Sequence, residues 1–256
     1  MGFVMKFLIL SLIMISFVVI SGCTEKTDSS NRSIRSENVE IMSQGLAYPA
    51  YLAEPAEGGK MPAIVLIHSF NGLEPGYKNI SDNLANEGYI VISPEWQTFN
   101  KTPADEIVGG LISDSVAYLK AKPNVDMNRL GLTGFCAGGR YTMLFLPQMT
   151  QFRSGVAWYG FPYSGGFANQ SMPIDFIEKL KAPMLMIHGT YDAASPIGDI
   201  YRYATELNAT GKYFELKVYQ GKPHGFMIEN GQLSRSFVAQ DAYREMINFF
   251  DRTLRE

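Results

Sequence analysis

Three residues of this chain have the types and surroundings for nucleophilic chemistry at a carbonyl carbon. Cys136 sits in Gly134-Phe135-Cys136-Ala137-Gly138-Gly139, at the end of an apolar run, 129–134 (RLGLTG). The spacing is that of a strand-to-helix turn, G-x-nucleophile-x-G, which holds the nucleophile in a strained backbone conformation and leaves no room for side chains two positions before and after it. Cys136 would then stand at a helix N-terminus, where the partial positive charge of the peptide dipoles suits an anionic sulfur. Taken alone, the same glycines would also fit a phosphate-cradling loop. Asp192 lies in His188-Gly189-Thr190-Tyr191-Asp192 and, taken alone, could be a turn or N-cap aspartate. His224 lies between Pro223 and Gly225, whereas His68 and His188 end apolar runs and suit satisfied polar positions of the interior. Together the three follow one another in the chain order nucleophile, acid, base, each at the end of a different apolar run. Cys136 would attack, His224 would accept its proton, and Asp192 would hold the imidazole tautomer.

The elements that must position them alternate. Residues 38–55 read as two antiparallel strands around Ser43-Gln44-Gly45. The continuous apolar run at 61–68 reads as a strand buried on both faces and 89–93 as another buried strand, and 129–134, 154–160, 182–189 and 213–220 read as four further strands. Helical spacing falls between them, at 77–86, 104–120, 137–146 and 197–208, and again at 238–254. Such alternation predicts an α/β fold, a mostly parallel sheet with helices on both faces, whose ligands bind at the carboxyl ends of the strands. Residues 161–181 form a longer connection that could cap such a site.

The 256 residues suffice for one large domain, at 37–256, and 46% hydrophobic and 18% charged residues are ordinary for a globular protein. A net charge of −3 with dispersed Lys and Arg speaks against a nucleic-acid partner. Residues 1–22 read instead as a signal segment: Lys6 precedes the apolar run 7–20, which is short for a membrane span, and Ile20-Ser21-Gly22-Cys23 has the form of a lipobox. Cys23 is then the expected lipidation site, residues 23–36 a disordered tether, and the protein an exported lipoprotein on the outer face of the cell membrane. With Cys23 so used, Cys136 has no partner for an intramolecular disulfide. Asn-x-Ser/Thr triplets at Asn31, Asn79, Asn169 and Asn208 would matter only in a glycosylating host.

The motifs GFCAGGR, HGTYDAASP and PHGF, with IHSFNGL and AWYG beside them, resemble those of the dienelactone hydrolase family of α/β-hydrolases over roughly residues 37–256. The resemblance implies an α/β-hydrolase fold with about eight strands, a Cys136-Asp192-His224 triad, no cofactor and no metal, and hydrolysis of a small-molecule ester or lactone. The oxyanion of the tetrahedral intermediate would be met by the N–H of Ala137, directly after the nucleophile, and, by family position, by that of Phe70; losing one such donor costs about 3 kcal/mol of barrier.

Several family features are missing. Ser69 stands where the family carries a Glu that engages the resting thiol, which favours a simple Cys–His pair. Ile228 replaces an Arg that holds a substrate carboxylate, and the segment 94–100 (PEWQTFN) offers aromatic residues where a second such Arg is expected. A neutral or apolar acyl group is therefore expected, with Ser69, Tyr159 and Ile228 lining the substrate pocket. Trp158 could line it or pack, and Arg140 is expected to be paired within the fold rather than to bind an anion. A monomer is expected. The rival readings are a thioesterase or acyltransferase using the same triad, a non-catalytic binding module on the same fold, and a redox-sensing thiol, which leaves Asp192 and His224 without a role.

Overall fold

A computed structural model describes residues 2, 32–168 and 170–256 of the chain. Apart from residue 2, the signal segment lies outside the described residues, as do Cys23, Asn31 and Asn169. Eight strands form one sheet: β1 (Ile34–Ser43), β2 (Leu46–Pro55), β3 (Met61–Ile67), β4 (Ile90–Pro94), β5 (Val125–Phe135), β6 (Ser154–Trp158), β7 (Met184–Gly189) and β8 (Phe214–Tyr219). Their spatial order is β1-β2-β4-β3-β5-β6-β7-β8. The β1–β2 and β2–β4 pairs are antiparallel and the rest parallel.

Strand β1 begins at Ile34, inside the expected tether: Ile34, Arg35 and Ser36 pair with Pro55, Glu54 and Ala53. The composition of 34–40 is polar because this is an edge strand facing water, and charged side chains there discourage pairing with other chains. Gln44 and Gly45, both at positive φ (50° and 79°), close the hairpin, as two-residue turns of the primed types require.

The buried strands are apolar throughout because both faces are covered. In β3, Ala63, Val65 and Ile67 face one core and Ile64 and Leu66 the other, all fully buried. Helices α2 (Asp105–Lys120), α3 (Ala137–Phe145) and α4 (Ile197–Ala209) cover the first face through Leu111, Leu144 and Leu207. Helices α1 (Pro75–Asn86) and α5 (Phe237–Leu254) cover the second through Leu84 and Phe250. A two-stranded ribbon, β9 (Ile228–Glu229) with β10 (Gln232–Leu233), turns at Asn230 and Gly231, again both at positive φ.

From β3 the chain moves to β4 on one side and then to β5 on the other, so β3 and β5 lie side by side, with Ile67 opposite Gly134. Loops that leave adjacent strands in opposite directions open a crevice at this switch point. Ser69 and Phe70 line it from the loop after β3, and Cys136 from the turn after β5.

His68 also carries a cost for the fold. It is 1% exposed, stacked on Trp96 with ring centroids 5.3 Å apart, and its Nδ1 donates to the Ser69 carbonyl at 2.7 Å. Burial pushes its pKa down to about 4 from 6.5. Between these values the unfolded chain binds the proton and the folded one does not. Stability is therefore full above pH 6.5 and lost as pH falls toward about 4, by ~3 kcal/mol for the whole shift. Urea unfolding at pH 7 and pH 4.5 should show this loss, and H68Q should lack that part of it.

Candidate active site

The turn at Cys136 is built as the glycine spacing requires. Cys136 has φ 57° and ψ −114°, a conformation that costs a non-glycine residue about 1–3 kcal/mol. A methyl group on Gly134 would overlap the carbonyl oxygen of Gly138, and one on Gly138 would overlap that of Ile67. The backbones of β3, β5 and α3 thus meet in contact, and the Cys136 N–H is held by the Trp158 carbonyl of β6 at 3.1 Å. Cys136 is half-buried and opens helix α3.

His224 comes from the loop after β8 and Asp192 from the loop after β7. Nδ1 of His224 donates to Oδ2 of Asp192 at 2.7 Å, and the Asp192 side chain is fully buried. Oδ1 of Asp192 accepts the N–H groups of Ala194 (3.0 Å) and Ser195 (2.8 Å). Oδ2 is also 3.3 Å from Nε2 of His188, a nitrogen that donates to the Ser195 carbonyl at 2.8 Å. Burial lowers the pKa of His188, so its Nε2 proton serves the Ser195 carbonyl and the neutral ring packs beside the carboxylate. Ser195 in turn donates from Oγ to the Gly160 carbonyl at 2.6 Å. The carboxylate is therefore fixed by two N–H groups of its own loop and by Nδ1 of His224.

The other edge of the imidazole, Nε2 of His224, is buried and makes no hydrogen bond among the described residues. Burial alone would lower the His224 pKa. The Asp192 carboxylate and the nearby sulfur of Cys136 outweigh it, and the value is pushed up to about 9. Tyr159, at φ 35°, packs edge-on against His224 with centroids 5.0 Å apart; its hydroxyl is buried and unpartnered among the described residues, and its pKa is raised well above 10, first by burial.

Two cavities meet at Cys136 and Phe70. The first, about 230 Å³, is lined by Ser69, Asn71, Glu74, Tyr77, Tyr159 and His224, with Ile228, Asn230 and Gly231 at the hairpin side. The second, about 200 Å³, is walled by Ala137, Tyr141, Phe161 and Phe167, with Arg140 and Ser164 at its edge. Among the described residues the N–H groups of Ala137 and Phe70 meet no acceptor, and both residues border the second cavity beside Cys136. Ser69 takes up the neighbouring donors instead: its Oγ accepts from Asn71 at 3.2 Å and its carbonyl from Gly72 at 3.2 Å.

Of the residues singled out from the sequence, Cys136, His224, Ala137, Phe70, Ser69, Tyr159 and Ile228 border the two cavities. Asp192 lies behind His224, fully buried, and lines neither, and Trp158 is buried and stacked on Phe135. Arg140 is paired: it makes a two-pronged bond to Asp105 (2.8 and 2.7 Å) and donates to the carbonyls of Ser164 (2.8 Å) and Ser171 (2.9 Å). It pins the connection 161–181, whose Phe161 and Phe167 wall the second cavity. The aromatic residues of 94–100 do not reach the site: Trp96 packs under His68 and Phe99 is exposed. Glu74, Asn71, Tyr77 and the β9–β10 ribbon escaped the sequence reading. Only the ribbon left a clear signal, Asn230-Gly231 between short apolar–polar pairs.

A doubly wound sheet in this strand order, with a glycine-flanked cysteine on the β5–α3 turn, a carboxylate after β7 and an imidazole after β8, defines an α/β-hydrolase. Within that class the chain belongs to the dienelactone hydrolase family, whose model matches residues 48–106 and 96–254. It is a hydrolase of ester or lactone bonds. A protein of Methylorubrum extorquens named "Putative carboxymethylenebutenolidase" is 31% identical over 231 residues, 83% of this chain and 79% of that one. A crystal structure titled "Putative Dienelactone Hydrolase" from Klebsiella pneumoniae superposes with a TM-score of 0.79 at 26% identity, covering 85% of this chain and 98% of that one. The acylaminoacyl peptidase of Pyrococcus horikoshii shares the fold, with a TM-score of 0.73 at 20% identity over 87% of this chain and 42% of that one.

Proposed function

We propose that the chain hydrolyses esters or lactones through a thioester of Cys136. The carrying observation is a cysteine held at φ 57° in the crevice that also exposes His224, with the far side of that imidazole bonded to a buried carboxylate. The Cys136 thiol gives its proton to Nε2 of His224, the sulfur attacks the carbonyl carbon, and the oxygen takes up negative charge against the N–H groups of Ala137 and Phe70. As the carbonyl re-forms, His224 hands its Nε2 proton to the departing alkoxide. Water then enters, gives a proton to Nε2, and attacks the thioester; the sulfur leaves as the anion and the acid is released. Asp192 keeps the proton on Nδ1 throughout.

The enzyme is further proposed to be exported and anchored to the outer face of the membrane by lipid on Cys23. This rests on the lipobox form of residues 20–23 behind the apolar run 7–20.

The test is mass spectrometry of the full chain quenched during turnover of a p-nitrophenyl ester. An added acyl mass on the peptide carrying Cys136 is expected, and turnover with an unmodified Cys136 would exclude the thioester. Matched lactones and thioesters in the same assay distinguish an ester hydrolase from a thioesterase. The anchor is tested by fractionation: Cys23→Ser should move the protein out of the membrane fraction.

A further inference from the structure

The two cavities differ in chemistry, and the position of His224 decides which part of a substrate each receives. His224 lines the first cavity and not the second. Whatever takes its proton must lie in the first, so the leaving alcohol belongs there and the acyl chain belongs in the aromatic cavity of Phe161, Phe167 and Tyr141. This assignment rests on the proposed role of Cys136 and His224.

The charges around the alcohol cavity point one way. Glu74 is the one lining residue there with a formal charge apart from the titrating groups of the site, and among the described residues it makes no ion pair. Its carboxylate turns toward the ribbon: Oε1 lies 3.5 Å from where a Cβ on Gly231 would sit. It does not cap helix α1, although it stands at its N-cap position, so its side chain has no evident structural task. No lysine or arginine lines this cavity. Arg140, at the edge of the other, is neutralised by Asp105 and by two carbonyls. Lys101 lies over the Phe70 ring, 4.8 Å from its centroid, and lines neither cavity. Ile228 lines the same cavity with an uncharged side chain.

We propose that this site selects esters of an apolar acid with a cationic alcohol, the Glu74 carboxylate recognising the ammonium group beside Asn71 and Asn230. An anionic substrate would meet Glu74 with no lysine or arginine lining the cavity to offset it.

Three butyrate esters of similar shape provide the test on the full chain: the choline ester, its neutral 3,3-dimethylbutyl isostere, and an ester of an anionic hydroxysulfonate. The expected order of kcat/KM is cationic, neutral, anionic. For a partly exposed carboxylate the step from neutral to cationic should be about fivefold. Glu74→Gln should collapse the cationic-to-neutral ratio toward one, and Glu74→Lys should invert the order. Because the readout is a ratio between substrates, a general loss of activity in a variant does not mimic it. A flat or inverted order in the wild-type enzyme, or an unchanged ratio in Glu74→Gln, overturns the proposal while Cys136-dependent hydrolysis of the same esters stands. Hydrolysis that persists in Cys136→Ala, or no hydrolysis of any of the three, overturns the underlying reading and this one with it.

Discussion

Cys136→Ala should lower kcat/KM for any ester the enzyme turns over by about 10⁴-fold or more, because on the proposed mechanism it removes the group that forms the covalent bond and leaves only substrate binding and the oxyanion donors. Cys136→Ser should fall in the same range, because an oxygen in place of sulfur gives up its proton to His224 far less readily and is the weaker nucleophile here. A third substitution separates chemistry from folding. Cys136 carries a conformational strain of about 1–3 kcal/mol at φ 57° and ψ −114°. Glycine adopts that conformation freely, at the cost of roughly 0.5–1 kcal/mol of extra freedom in the unfolded chain. Cys136→Gly should therefore be inactive yet more stable than the wild type, by about 1 kcal/mol, in urea unfolding. Equal or lower stability would mean that the turn is not strained by its side chain. The strain has a physical purpose in this fold: it lets β3, β5 and α3 approach to backbone contact while the sulfur stands clear of them.

The same turn shows how far the sequence could be read. Gly134 and Gly138 announce the elbow because no other residue fits where backbones touch, and a local steric demand is legible in one dimension. The parallel strands are legible for a similar reason, since burial on both faces leaves unbroken apolar runs such as 61–67. The order of strands in the sheet is not written in any one run, although alternation with helices and the nucleophile, acid, base order narrow it. Ile34–Ser36 were hidden because an edge strand exposed to water has the composition of a tether. The aromatic cavity was hidden for a different reason. Phe161 and Phe167 lie in an irregular connection whose path is set by Arg140, which reaches the carbonyls of Ser164 and Ser171 from helix α3. A pairing across 24 and 31 residues leaves no periodic trace. The aromatic residues of 94–100, which composition favoured, are consumed by packing under His68 and against Tyr48. Glu74 is likewise silent in sequence, since an acidic residue before a Pro-initiated helix is ordinary, and only the ribbon folded over it makes it a cavity wall.

The pH profile of kcat/KM should fall on the alkaline side near pH 9, and Asp192→Asn should move that fall to lower pH while costing about 10⁴-fold in rate. Burial opposes charge on His224, yet the Asp192 carboxylate on Nδ1 and the sulfur of Cys136 hold its proton up to about pH 9. Below that value the imidazolium is present and can protonate the leaving alkoxide. Above it the proton is gone, and the leaving group departs unaided. The limb belongs to the Cys136–His224 pair rather than to either group alone. In the Asp192→Asn variant the amide contributes no negative charge, burial regains its weight, and the imidazolium is lost earlier; the amide can also present its NH₂ to Nδ1 and so favour the tautomer that blocks Nε2. The donors from Ala194 and Ser195 constrain which way that amide turns, because they already claim the oxygen at Oδ1 and leave the nitrogen to face His224. Rate profiles from about pH 5 to 10 for both proteins, with alkylation of Cys136 followed over the same range, read the two effects separately. A wild-type profile flat through pH 9, or an Asp192→Asn profile whose alkaline limb stays in place, would show that His224 is not the acid of the reaction.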